Sequence, residues 1–328
     1  VLGDKLLQHV QVGNFTPVAE ELHLGDLLGN EFRVVIRELD RPEEAARNAE
    51  GVAAAGFINC YGLQRFGSCK GNTHHVGRLL LLERFREATE RIMAEANDSA
   101  DVREVRRLFA EGKFREAFDR CPPKLRIERG ILRALSVQQK QHTAATDGAF
   151  KAALDAGLPY TTKMLYVHAY QSYVWNIAAS RRIAAHGAAV CAGDLVLVDG
   201  RPRAVGAEEV AAHTLADVVL PLPAADAVFP ENGARAWYEE QLAADGLSLA
   251  AFPRAVFGAS LRGDYRPLVV LPRRLEHRLL SYSDVRADLV DDGGFPKADL
   301  TGDRRALWLR FELPSSSYAT MLFREVLK

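Results

Sequence analysis

The sequence predicts an α+β fold, in which a mixed sheet domain is interrupted by a large, mainly helical insertion. Segments with strand character lie near the two ends of the chain, EFRVVIRE at 31–38 and LWLRFEL at 307–313, and helical periodicity dominates the residues between them. The 328 residues, 48% of them hydrophobic, suffice for a buried core and suggest one large or two ordinary domains.

Residues 31–38 are rich in the β-branched and aromatic side chains that suit a pleated strand. In DRPEEAARNAEG, Asp40 is placed to cap a helix, Pro42 sits in its first turn and Gly51 is its expected end. A short apolar run, VAAAGFI, leads to Asn59. Helical periodicity returns over 77–96, and 103–133 predicts two further amphipathic helices broken at Pro122-Pro123. Residues 161–186 (TTKMLYVHAYQSYVWNIAASRRIAAH) are the strongest helical segment, with Gly187 as its stop. Its Tyr166, Tyr170, Tyr173 and Trp175 read as core rather than as a base-stacking platform. DLVLVDGRPRAV at 194–205 predicts a hairpin around Asp199-Gly200. At 307–313, strict alternation puts Leu307, Leu309, Phe311 and Leu313 on one face and Trp308, Arg310 and Glu312 on the other. A helix follows from about 318 to 327.

Charge is balanced overall, with 42 basic against 43 acidic residues, so any nucleic-acid footprint must be local. Residues 103–133 hold ten basic and five acidic side chains, which suits a solvated helix face first and RNA backbone contact second. Residues 205–250 hold eight acids and only Arg235, a face that repels RNA. No run reaches the ~20 apolar residues that span a bilayer, and residues 1–15 lack the features of a signal peptide. The absence of an initiating Met points to a native start upstream of Val1. Cys60, Cys69, Cys121 and Cys191 form no C-x-x-C pair, which fits a reducing compartment rather than a disulfide framework.

The segment GFINCYGLQRFG at 56–67 stands apart. Three glycines permit tight turns and close approach to a ligand, and aromatics beside amides suit a flat heterocycle. By composition alone, a ligand pocket and a buried structural turn are equally open readings.

The order of residues is more specific. NCYGLQRFG resembles the N-Y-F/Y-G-x-Q-R-F-G signature of the TruD-type pseudouridine synthases, with Cys60 where the family usually has an aromatic, and THHVGR resembles the short motif that follows it. VGNFTPVAEELHLGDLLGNEFRVVIREL (12–39) resembles another family stretch. MLYVHAYQSYVWNIAASRRI (164–183) and HTLADVVLPLPAADAVFPEN (213–232) are similar to segments of its eukaryotic branch, and FELPSSSYATMLFREVLK (311–328) to its closing segment.

The resemblance implies a cofactor-free isomerase that detaches uracil from its ribose in RNA, rotates it and rejoins it through C5, on a base flipped from its stack. It implies an antiparallel or mixed catalytic sheet, divided between residues 1–85 and 286–328, with a TruD-type insertion domain at 86–285. The expected partner is RNA, tRNA first, with mRNA and snRNA as further substrates, and neither membrane nor metal is required. His74 and His75, even with Cys69 near, match no common zinc spacing. The implied compartment is nucleus or cytoplasm, not the secretory route. The candidate catalytic residues are Asn59, which would orient the nucleophile or the base; Tyr61, packing on uracil; Tyr318, closing the pocket; and Arg324, pairing with the catalytic carboxylate. A core aromatic and a surface salt bridge are the bland alternatives for Tyr318 and Arg324. Arg65, His75 and Arg78 are the RNA-binding candidates, with Arg65 left between a structural and a phosphate-binding role.

One part of the family pattern is missing. The reactive Asp of the family lies in a G-x-K-D-K/R-x-A-x-T-x-Q segment N-terminal to V-G-N-F, and no such segment occurs here. Asp4, in LGDKLLQ, lacks the A-x-T-x-Q tail and stands too close to Val12-Gly13-Asn14-Phe15. The expectation is a polypeptide that begins after the catalytic motif and is inactive by itself. A pseudoenzyme that keeps RNA binding, and a partial fold with an exposed sheet edge, are the alternatives.

Overall fold

The structure, a computed structural model, describes residues 5–7, 10–12, 15–23, 26–67, 73–95, 99–141, 146–252, 261, 263–298 and 300–328. Asp4 and Cys69 fall outside the described residues.

The chain opens with a small antiparallel ribbon of β1 (Lys5–Leu7) and β2 (Val10–Val12). Next come β3 (Gly29–Ile36), α1 (Pro42–Ala55) and a two-residue strand, β4 (Phe57–Ile58). Seven helices follow: α2 (Thr73–Leu81), α3 (Phe85–Glu95), α4 (Ala100–Ala110), α5 (Phe114–Arg120), α6 (Arg126–Gln141), α7 (Asp147–Gly157) and the 27-residue α8 (Tyr160–His186). The hairpin of β5 (Leu195–Val198) and β6 (Arg201–Ala204), then β7 (Val218–Pro221), α9 (Ala234–Ala244) and β8 (Tyr265–Pro267) complete the middle of the chain. The last elements are β9 (Val269–Val270), β10 (Arg273–Tyr282), β11 (Arg304–Pro314) and α10 (Ala319–Val326).

Two sheets organise these elements. The terminal sheet has the order β10-β11-β3, antiparallel throughout, with Leu309 opposite Val34 and His277. The alternation of β11 sends Leu307, Leu309, Phe311 and Leu313 into a core shared with α1 and α10. Trp308 is also buried, on the opposite face, beneath a cover that includes Leu289 and Leu300. The second sheet, β6-β5-β7-β8, backs α8, and the helices from α2 to α9 close a separate and larger core around it.

Several sequence expectations shift. The helix beginning near Pro42 runs through Gly51 to Ala55 and has no side-chain cap from Asp40, so VAAAGFI is its last turn plus β4. The periodic stretch after Gly77 is two helices, because Glu83 turns the chain at φ 57°. Residues 103–133 hold three helices, since Gly112 adds a break at φ 74° to the one at Pro122-Pro123.

The two cores also divide the chain. β10 belongs to the terminal sheet, and Val76, Leu80, Leu81 and Phe85 belong to the helical core. The buried residues of the helical core thus extend from Val76 to Val269, against the expected insertion at 86–285. The seam is the β4–β9 pair, in which Phe57 faces Val270 and Ile58 faces Val269. Phe57 and Val270 enter the terminal core, whereas Ile58 and Val269 enter the helical one, because successive side chains of a strand point to opposite faces.

Candidate functional site

The GFINCYGLQRFG segment leaves this seam. Its first two strand residues are held by β9, and the next backbone amide, that of Asn59, donates to the Leu268 carbonyl at 2.9 Å. Asn59 is buried, and so is Arg266 of β8. The Arg266 guanidinium spans the site: Nε donates to the Asn59 carbonyl at 2.8 Å, Nη2 to Asn59 Oδ1 at 2.9 Å and Nη1 to the Ser316 carbonyl at 2.6 Å. Its planar cation lies 4.0 Å from the Tyr61 ring centroid and 5.9 Å from that of Tyr318. Burial works against this charge and pulls its pKa below the ordinary arginine value, while the neighbouring phenols act the other way. Among the described residues no carboxylate pairs with Arg266.

Tyr61 is fixed from every side. Its backbone N–H donates to Asn176 Oδ1 at 2.8 Å, and Asn176 Nδ2 returns a bond to the Tyr61 carbonyl at 3.1 Å. Its ring meets Trp175 and Tyr318 edge-on, with centroids 5.8 and 6.1 Å away. Burial holds the Tyr61 phenol above its ordinary pKa, so it stays neutral. Gly62 makes the Tyr318 contact possible: a Cβ there would stand 3.1 Å from the Tyr318 ring and 2.9 Å from Thr320 Oγ1.

Two cavities meet at Tyr61. The first, about 310 Å³, is polar and is lined by Tyr61, Arg65, His168, Gln171, Leu222, Asp264, Arg266, Ser316 and Tyr318. The second, about 900 Å³, lies toward α10 and includes Gln64, Phe66, Tyr173, Asn176, Ile177, Thr320 and Arg324. α8 serves both with adjacent stripes. His168 and Gln171 face the first cavity, and Tyr173, Asn176, Ile177 and Ser180 face the second, at the three- and four-residue spacing of one helix face.

The structure therefore brings Asn59, Tyr61, Tyr318 and Arg65 together across more than 250 positions of sequence. Arg65 Nε donates to the Ser172 hydroxyl at 3.1 Å, and its charge lies 5.7 Å from the Tyr61 ring. Arg324 is exposed in the second cavity, whereas the buried cation beside Asn59 is Arg266. His75 and Arg78 line neither cavity, and Asn59 reaches the first only from behind Arg266, which its side chain holds. Arg78 Nε donates to the Asp245 carbonyl at 2.9 Å and lies 3.5 Å from its carboxylate. His74, not His75, supports the site: its ring stacks on Tyr173 at 4.6 Å and meets Phe66 edge-on at 5.4 Å. Burial, helped by the neighbouring His75, pushes the His74 pKa down to about 4, so it packs as a neutral ring. The basic side chains of 103–133 are largely occupied locally, as Arg107 with Glu104 and Glu111, Arg115 with Asp119 and Arg129 with the Phe118 and Cys121 carbonyls show.

Sequence reasoning missed Arg266, Asn176, Asp264 and Ser316. A signal for Arg266 existed: in YRPLVV it is the one charge in an apolar strand, a position where burial is costly without a specific task. Asp264, exposed, is the one carboxylate among the described lining residues; its Oδ1 accepts from the Tyr265 N–H at 2.8 Å.

Comparison with known proteins follows the same lines. The family model for tRNA pseudouridine synthase D (TruD) matches residues 3–326. The chain is 33% identical over 336 residues to the pseudouridylate synthase 7 homolog of Mus musculus, covering 99% of this chain and 50% of the mouse protein. It is 32% identical over 357 residues to the multisubstrate pseudouridine synthase 7 of Schizosaccharomyces pombe, covering 97% of this chain and 51% of that protein. The chain thus spans about half the length of the curated relatives it matches. A crystal structure from Methanosarcina mazei, assigned to tRNA pseudouridine synthase D (TruD), aligns with a TM-score of 0.71 at 25% identity, over 97% of this chain and 72% of that one.

Proposed function

The chain belongs to the TruD family, and from that premise we propose that it forms the uridine-binding cavity and most of the fold of an RNA pseudouridine synthase. The observation that carries this reading is the Arg266–Asn59 clamp set between Tyr61 and Tyr318. Because Arg266 occupies Oδ1 of Asn59, the amide offers Nδ2 as a donor, which suits a uracil carbonyl or a carboxylate. Tyr318 and Tyr61 supply aromatic walls for a base taken out of its stack, and Arg65 supplies a cation for the attached phosphate. Pseudouridine formation breaks the N1–C1′ bond and makes the C5–C1′ bond; C5 gives up its proton to solvent and N1 takes one up, so the reaction consumes no co-reactant.

The reaction also needs a nucleophilic carboxylate, which the sequence motifs of this chain do not include. We assign it to a segment outside these 328 residues, placed against the buried Arg266 cation. Arg266 takes this pairing role in preference to Arg324, because a buried guanidinium holds a carboxylate ionised far better than an exposed one. The test is tritium release from RNA labelled at uridine C5, with tRNA as the first substrate. The 328-residue chain alone should release none, and a polypeptide that joins it to a K-D-K/R segment should release tritium. Turnover by the chain alone would place the nucleophile within it, at Asp264 first. An extended enzyme that contains the motif and still releases nothing would overturn the reading.

A further inference from the structure

The second cavity is absorbed by no step of the reaction proposed above. It is the larger of the two, about 900 Å³, and shares Tyr61 with the first. Its lining is distinctive in three respects. It holds aromatic surface in Phe66 and Tyr173, whose backs are packed against the neutral His74 ring. It holds an amide in Gln64, whose Oε1 accepts from Thr320 at 3.4 Å and whose Nε2 donates to no described residue. Its described lining residues also include two cations and no carboxylate, in a chain whose acids slightly outnumber its bases. Of those cations Arg181 is paired with Glu240 at 2.6 Å, whereas Arg324 is exposed and makes no ion pair among the described residues. Leu63, also in its lining, leaves 79% of its surface exposed, an apolar contact open to a ligand.

We propose that this cavity is a subsite for the nucleotide adjacent to the target uridine in a single-stranded RNA. The neighbouring base stacks on Phe66 against Leu63, Gln64 meets its edge, and Arg324 meets its phosphate. Continuity supports the assignment. Tyr61 is the partition between the cavities, so a uridine in the first leaves its neighbour at the entrance of the second. Charge complementarity supports it too: a ring of aromatics and amides with an unpaired cation and no acid among the described lining residues suits an anionic chain of flat rings and disfavours a basic or purely aliphatic partner. The inference rests on the reading of the first cavity as the uridine site.

The test walks an abasic residue along a five-nucleotide RNA with a central uridine and measures binding to the 328-residue chain by fluorescence anisotropy. An abasic residue at one neighbouring position should weaken binding about tenfold or more, on the scale of a lost base stack. Phe66→Ala should weaken the intact RNA by a similar factor and should make that same abasic substitution nearly neutral, because both remove one contact. Arg324→Gln should lower affinity and flatten its salt dependence without altering the abasic pattern. If the abasic loss is equally large in the wild type and in Phe66→Ala, or if no neighbouring position matters, the proposal is wrong. Failure of the uridine reading looks different: the central position would then be the insensitive one. An absence of all RNA binding would overturn both.

Discussion

Arg266 holds both oxygens of Asn59, its Nε on the backbone carbonyl at 2.8 Å and its Nη2 on the side-chain carbonyl at 2.9 Å. The two residues are 207 positions apart: Asn59 directly follows β4, and Arg266 lies on β8, just before β9, so both flank the seam between the two cores. A single guanidinium therefore fixes the amide's orientation, carries a buried charge under Tyr61 and ties the helical insertion to the Ser316 loop that precedes α10.

Removing that cation should destabilise the protein as well as the site. Arg266→Met leaves three carbonyl oxygens without their charged donor, and the expected cost is about 3–5 kcal/mol. Arg266→Lys keeps the charge but reaches fewer acceptors at once, so it should lose less. Urea unfolding midpoints, with Arg266→Met below Arg266→Lys below wild type, check the ranking.

Asn59→Asp separates folding from recognition. A carboxylate at position 59 still accepts the Arg266 Nη2 bond, now in a charge-assisted form, and the backbone carbonyl keeps the Nε bond, so the unfolding free energy should not fall by more than about 1 kcal/mol. It has no N–H to offer, so affinity for uridine-containing RNA should drop by about tenfold. Retained affinity would show that the Asn59 amide donates nothing to the ligand.

Gly77 is a third test, of the packing that positions α8. A Cβ on Gly77 would run into the backbone carbonyl of Tyr166, at the contact between α2 and α8. Gly77→Ala should cost about 1–3 kcal/mol, the usual penalty of forcing a methyl group into a filled interior. Thermal unfolding should show the loss, and a neutral substitution would mean that the helices can separate without consequence.

The His74 ring gives a pH dependence of defined sign. In the folded protein its pKa is about 4, against an ordinary 6.5 in the unfolded chain. Between these values the unfolded state binds more protons, so stability falls as pH falls from about 6.5 toward 4. His74→Phe keeps a flat ring and removes the titration, and the stability difference between wild type and variant should therefore shift in favour of the variant as pH drops from 7.5 to 5. Parallel pH curves for the two proteins would contradict the assignment.

These tests also mark what the sequence made legible. β11, α8 and the hairpin at Asp199-Gly200 were readable because each signal is local. Alternation, helical period and two residues that tolerate positive φ, here 49° and 73°, decide each one within a few positions. The split at Glu83 was not readable, because a non-glycine residue with φ of 57° carries no composition signal. β10 was unreadable for a different reason: its sequence, RRLEHRLLSY, is heavily charged, and only its pairing with β11 reveals it as sheet. The grouping of Asn59, Tyr61 and Tyr318 was legible through the order of motif residues. Arg266 and Asn176 act through contacts more than a hundred positions away, which no local pattern encodes.

The most direct measurement compares two short RNAs that differ at one position, one with a central uridine and the other with an abasic residue there. Wild-type chain should bind the uridine RNA at least about tenfold tighter, and Tyr318→Ala should abolish that difference while leaving the abasic RNA bound as before. Equal binding of the two RNAs by the wild-type chain would contradict the assignment of the Tyr61–Tyr318 cavity to uridine.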